Sequence, residues 1–122
     1  VRAFESDMAG VCVWADLAVA RAGALSLAEF AAAGLPAVLV PYPWAADDHQ
    51  SANARVFEIA GAARLIPQTE LDPMRLSREL DTLAAAGRKR LLGMAEYAYG
   101  LARPDAALRV ARSVLEVAEI GP

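Results

Sequence analysis

The sequence predicts an α/β fold, a partial parallel sheet of about three strands followed by a helical tail, and three observations carry that expectation. Short apolar runs alternate with helix-forming stretches through the first half of the chain. Glycine and proline punctuate nearly every change between them. From Asp72 onward the signals are helical alone. The 122 residues can bury one modest core, so they form one domain or part of one.

Asp7 to Trp14 reads as a helix, and Asp16-Leu-Ala-Val-Ala20 is short and apolar enough for a buried strand. Arg21-Ala-Gly-Ala24 supplies a tight turn, after which Leu25 to Ala33 are helix formers closed by Gly34 as C-cap. Pro36 bars further helix, and Ala37-Val-Leu-Val40 is a second buried strand that ends at Pro41. A loop runs from Tyr42 to Asp48. Helical spacing returns over His49 to Ala60, with Val56, Ile59 and Ala60 on one face, until Gly61 stops it. Ala63-Arg-Leu-Ile66 is a third strand before Pro67. This β-α-β-α-β order implies parallel pairing with right-handed crossovers, a Rossmann-like arrangement. Asp72 is placed to cap a helix with Pro73 at its first position, and helices are expected at about 73–86, 88–101 and 105–119. Three parallel strands leave an open edge, so further strands are expected upstream of Val1, and the missing initiator methionine fits a fragment.

Composition narrows the function classes. Hydrophobic residues make up 57% and charged residues 22%, which is a globular balance. A net charge of −3 gives no electrostatic footprint for phosphate backbones, so nucleic acid is excluded as an expected partner. One cysteine, Cys12, and one histidine, His49, build neither a disulfide framework nor a Cys/His zinc site, which suits a reducing compartment. The longest uncharged run, Phe30 to Ala46, is broken by Gly34, Pro36, Pro41 and Pro43 and is therefore not a membrane span.

Two loops at the carboxyl end of the expected sheet carry candidate chemistry. In open α/β sheets ligands bind beyond the strands' carboxyl ends, and helix N-termini present free N–H groups to anions. Gly23, Ala24 and Leu25 are small or neutral enough to admit phosphate oxygens, and the Ser26 hydroxyl adds a donor. Glu29 follows Ser26 on the same helical face, where an ionised carboxylate can accept hydrogen bonds from a ribose diol. An acid in an early turn also stabilises the helix dipole, which leaves a purely structural role open. The second loop brings Asp47, Asp48, His49, Gln50 and Asn53. Gln50 and Asn53 stand three apart, and their amides suit sugar hydroxyls, while Asp48 can equally serve as a helix cap. His49 is a single histidine and is given no catalytic role.

The run Ala15 to Gln50, with Arg21-Ala-Gly-Ala-Leu-Ser26, Glu29, Ala31-Ala-Ala-Gly-Leu-Pro36 and Asp48-His-Gln50 in order, followed by Ala52-Asn-Ala54, resembles the donor-binding signature of the bacterial cell-wall N-acetylglucosaminyltransferases, the MurG family. The resemblance reaches Asp7-Met8, Gly61-Ala62-Ala63 and Pro104-Asp-Ala-Ala107 as well. It implies the two-domain GT-B architecture, with residues 1–122 as an incomplete C-terminal UDP-sugar-binding domain. The β-α-β core would occupy about 7–67 and the helical segment about 73–119, with the acceptor domain absent. It implies transfer of N-acetylglucosamine from UDP to the muramyl C4 hydroxyl of lipid I, giving lipid II. Gly23, Ala24, Leu25 and Ser26 would then take the diphosphate, Glu29 the ribose, and Gln50 and Asn53 the sugar, with Asp48 and His49 shaping the loop.

Arg21 would brace its loop with Asp16 or Asp47, or touch phosphate directly. Trp44 would anchor its loop, and Trp14 and Tyr42 would pack in the core or a loop. No catalytic residue is expected in this chain, the base lying upstream. No cofactor or metal is expected, UDP-N-acetylglucosamine being a substrate. The partners would be the UDP-sugar donor and, through the absent domain, a lipid-linked muramyl acceptor. No direct membrane contact is expected from these residues, although the full protein would lie on the cytoplasmic face of the plasma membrane. Another UDP- or dTDP-sugar transferase of GT-B fold, or a separate nucleotide-sugar-binding subunit, remain as alternatives.

Overall fold

The computed structural model of the chain describes residues 6–43 and 49–102. Helix α1 spans Met8–Trp14 and starts at Asp7, whose carboxylate accepts a hydrogen bond from the Gly10 N–H at 3.0 Å. Strand β1, Ala18–Ala20, leads through Gly23 into α2, Ala24–Ala33. Strand β2, Ala37–Leu39, precedes α3, His49–Ile59, and β3 is Ala63–Leu65. A 3-10 turn at Gln68–Glu70, which the sequence signals did not announce, fills the step to α4, Pro73–Ala86, and then α5, Arg88–Gly100. Asp72 caps α4 as expected, accepting from the Arg75 N–H at 2.7 Å, with Pro73 where its missing N–H does no harm. The helix expected at 105–119 lies outside the described residues.

The sheet is parallel throughout in the order β1-β2-β3, with Ala18 beside Ala37 and Ala37 beside Ala63. Its central strand is buried along its whole length. Alternation sends Ala37 and Leu39 into one cluster with Leu27, Phe30 and Phe57, while Val38 and Val40 enter another with Ile66, Leu83 and Met94. Helices therefore cover both faces, which is why β2 reads as an uninterrupted apolar run. Leu39 and Ile66 are fully buried, and truncating either to alanine removes about 2–5 kcal/mol.

Two glycines time the entry into β2 and β3. At the end of α2, Gly34 takes φ 64° and ψ 45°, its N–H donates to the Ala31 carbonyl, and the Leu35 N–H donates to Phe30 at 2.8 Å. At the end of α3, Gly61 takes φ 85°, with its N–H on the Glu58 carbonyl at 3.0 Å and the Ala62 N–H on Phe57 at 2.9 Å. Both are left-handed closures in which the next residue, Leu35 or Ala62, is driven into the core.

The inward stripe of α3 differs from the expected one. Ala54 and Phe57 are buried, whereas Val56 and Ile59 are exposed, so the stripe runs Gln50, Asn53, Ala54, Phe57. That stripe has equally helical spacing, and its two amides find backbone partners that Val56 and Ile59 would have left unsatisfied. Trp14 is also not in the core: it is 83% exposed at the end of α1. On the other side of the sheet, Arg64 of β3 is tied to Glu79 of α4 at 3.0 Å, and Arg75 joins the same carboxylate at 3.4 Å.

Candidate functional site

The carboxyl edge of the sheet is where the strands part. Val40 N–H donates to the Ala20 carbonyl at 2.9 Å, so the next rung would run from Ala22 N–H to the Val40 carbonyl. Side chains take both groups instead. Gln50 Oε1 accepts from Ala22 N–H at 3.3 Å and from Tyr42 N–H at 2.8 Å, while Arg21 Nη1 donates to the Val40 carbonyl at 3.3 Å. Between β2 and β3 the ladder closes with Ile66 N–H on Leu39 at 2.9 Å, after which Pro41 has no N–H to continue it. The Pro41 carbonyl also accepts from Arg21, at 3.5 Å. Arg21 further donates to Gln68 Oε1 and lies 5.6 Å from the centre of the Tyr42 ring. One guanidinium thus joins the ends of all three strands.

Arg21 braces its loop as expected, but through Val40, Pro41, Gln68 and Tyr42 rather than Asp16. Asp47 and Asp48 lie outside the described residues, as does Trp44. Sequence reading missed Gln68: it follows Pro67 in no recognisable pattern, and only the need of Arg21 for an acceptor across the sheet marks it.

The helix opened by this loop is α2, with Gly23 as its N-cap in an extended conformation and no side-chain cap. The first intrahelical bond is Leu27 N–H to the Gly23 carbonyl at 3.0 Å. The N–H groups of Ala24, Leu25 and Ser26 therefore precede the helical ladder and stand at its positive end. Ala24 and Leu25 are exposed, Gly23 and Ser26 half-buried. Among the described residues, a Cβ built on Gly23 would meet only Gln50 Nε2, at 3.9 Å. Glu29 is exposed in the second turn, since the first turn of α2 holds no acid, and it has no hydrogen bond or ion pair among the described residues. Its charge, after burial itself, helps raise the thiol pKa of Cys12 on α1.

Four of the candidate residues, Gly23, Ala24, Leu25 and Ser26, thus share one helix end, with Glu29 a turn further on. Gln50 and Asn53 face the same loop from α3, Asn53 Nδ2 donating to the Ala22 carbonyl at 3.2 Å. His49 opens α3 and is exposed. Beyond the strand ends a hollow of about 240 Å³ is lined by Pro41, Pro43, Ser51, Arg55 and Gln68 among others. A larger depression, about 680 Å³, runs along α4 past Met74, Arg78 and Asp81 and shares no residue with this edge. The described residues contain no group of three or more His, Cys, Asp or Glu side chains placed to hold a metal ion. No helix among them is long and apolar enough to cross a membrane.

A family model, the glycosyltransferase family 28 C-terminal domain, matches residues 1–110. The chain is 58% identical over 115 residues to the UDP-N-acetylglucosamine–N-acetylmuramyl-(pentapeptide) pyrophosphoryl-undecaprenol N-acetylglucosamine transferase of Alkalilimnicola ehrlichii, and 56% identical to that of Halorhodospira halophila. Each match takes in 94% of this chain and 32% of the relative, so the chain spans about a third of the length of the curated relatives it matches. Among solved structures it is similar to Acinetobacter baumannii MurG, with a TM-score of 0.76, 40% identity and coverage of 93% of this chain and 32% of that one. It is also similar to the glycotransferase of kitacinnamycin, with a TM-score of 0.57 and 28% identity over 86% of this chain and 27% of that one.

Proposed function

Because the chain belongs to the glycosyltransferase family 28 C-terminal domain family, we propose that it is the donor-binding portion of an inverting transferase using UDP-N-acetylglucosamine. Its reaction would move the sugar onto the muramyl C4 hydroxyl of lipid I to make lipid II. The observation that carries this reading is the uncapped N-terminus of α2 at the carboxyl edge of the sheet, with the exposed Glu29 in its second turn. The matched relatives, named as N-acetylglucosamine transferases, support the choice of sugar.

In this reading the N–H groups of Ala24, Leu25 and Ser26 receive the diphosphate past Gly23. Glu29 accepts the ribose hydroxyls, and Gln50 and Asn53 reach the sugar, with Asp48 and His49 shaping the loop. Transfer forms a bond from the acceptor oxygen to the anomeric carbon and breaks the bond from that carbon to the diphosphate. Negative charge grows on the departing oxygen, where helix N–H groups oriented in advance stabilise it most. The base that takes the acceptor proton belongs to the domain holding the lipid-linked acceptor, and these residues bind only the donor. No metal is required for departure if the helix end carries that charge, so excess EDTA should leave turnover unchanged. The intact protein would work peripherally on the cytoplasmic face of the plasma membrane.

Competition of UDP-N-acetylglucosamine and UDP-glucose for the intact protein tests the reading. Clear preference for the acetamido sugar supports it. Equal competition favours a transferase of other specificity, for which the likeness to the kitacinnamycin glycotransferase is the precedent.

A further inference from the structure

We infer that Gln50 and Asn53 are positioning residues for the anion-binding end of α2, clamping both sides of Ala22 so that the helix N–H groups are aimed before any ligand arrives. The inference rests on the donor-site reading above, but it assigns these amides a task that does not involve the sugar.

Ala22 is fully buried and sits one residue before the N-cap. Its N–H and its carbonyl are the groups that the parting strands leave without a ladder partner. Gln50 Oε1 takes the N–H and Asn53 Nδ2 the carbonyl, from one face of α3. The partners dictate which way each amide turns, because a backbone N–H requires the oxygen of Gln50 and a carbonyl requires the nitrogen of Asn53. Gln50 Oε1 also holds Tyr42 N–H, so the same atom sets the width of the gap between β1 and β2. With both ends of Ala22 held, the peptide entering Gly23 has one orientation. The Gly23 carbonyl then receives Leu27 N–H at 3.0 Å, which starts α2 in a fixed direction. Such a clamp lowers the ordering needed when a diphosphate binds. Side chains that served only the sugar would have no reason to be engaged in its absence.

Binding of UDP, which has no sugar, separates the two roles. Gln50→Met keeps length and removes the acceptor; Asn53→Asp keeps size and an acceptor but removes the donor to Ala22. Each should weaken binding of UDP to the intact protein about tenfold, the scale of one or two net hydrogen bonds, and binding of UDP-N-acetylglucosamine by at least as much. Loss confined to the UDP-sugar, with UDP affinity unchanged, would overturn the clamp and leave these amides as sugar contacts alone. Amide hydrogen exchange of unliganded protein gives a second readout that needs no ligand. Ala22 and Tyr42 should exchange faster in Gln50→Met, with overall melting retained, and unchanged exchange would overturn the inference. If the wild type binds neither nucleotide, the donor-site reading fails, and the exchange result alone judges the clamp.

Discussion

Glu29 carries a specific expectation at the scale of single residues. It is exposed and its carboxylate is not spent on a partner among the described residues, so replacing it with alanine should leave the fold intact. UDP-sugar binding should weaken by about 1–3 kcal/mol if its hydrogen bonds to the ribose are lost. Calorimetric titration of Glu29→Ala checks this, and unchanged affinity would remove Glu29 from the site. Gly23 offers a complementary probe. Its φ is −67°, and an added Cβ meets nothing closer than 3.9 Å among the described residues, so Gly23→Ala should melt like the wild type. A methyl placed where a phosphate must approach should still raise the Kd for UDP about tenfold, or ~1.4 kcal/mol. The positions of these residues were legible in the sequence because a glycine after an apolar run, followed by helix formers, marks a strand-to-helix turn. The inward turn of Gln50 and Asn53 was not, since their partners at Ala22 and Tyr42 are far away along the chain and come near only once the sheet has formed.

Among the elements, the two left-handed closures differ in what surrounds them. Alanine at Gly34 or Gly61 meets the steric penalty of positive φ, about 1–2 kcal/mol each. At Gly61 the new Cβ would lie 2.9 Å from the Tyr97 ring, an exposed side chain able to swing away. At Gly34 it would lie 3.3 Å from the Ala95 carbonyl, which belongs to the backbone of α5. Gly34→Ala should therefore lose more stability than Gly61→Ala in denaturant titration, and the reverse order would show that α5 yields more easily than Tyr97. These closures were readable in advance: Gly34 before Leu35 and Pro36, and Gly61 before Ala62, announce the ends of α2 and α3. The sequence pattern points to the opposite face of α3 because Val56 and Ile59 are larger and more apolar than Ala54. Burial was decided instead by Phe57 and by two amides that the sheet edge could satisfy.

Across the whole molecule, one charged network links the last strand to the helical half. Glu79 is nearly buried between Arg64 and Arg75, and Arg75 also reaches Glu70 at 3.0 Å. The hydrogen bond from Arg64 holds the Glu79 carboxyl below its ordinary value of 4.5, against the opposing effect of burial. A carboxyl lowered on folding stabilises the native state above its unfolded pKa, and that contribution fades as pH falls through the folded value. Melting temperature should thus decline from about pH 4.5 downward, in part through this group. Glu79→Gln should be less stable at neutral pH and show a shallower acid decline, and an unchanged slope would assign the acid loss elsewhere. Neither this pairing nor the 3-10 turn before α4 was visible in the sequence, because Arg64 and Glu79 meet only after the chain has passed through that turn.

The way the sheet opens at its carboxyl edge bears on how such a protein can change over time. Past Ala20 and Val40, the backbone no longer dictates the spacing of the strands; Gln50, Asn53 and Arg21 do, each by a side chain that a single codon change can replace. Natural variation can therefore reshape the mouth of this crevice while the buried ladder beneath it stays as it is. Families diverging from a common ancestor would inherit the sheet and explore donors at its rim.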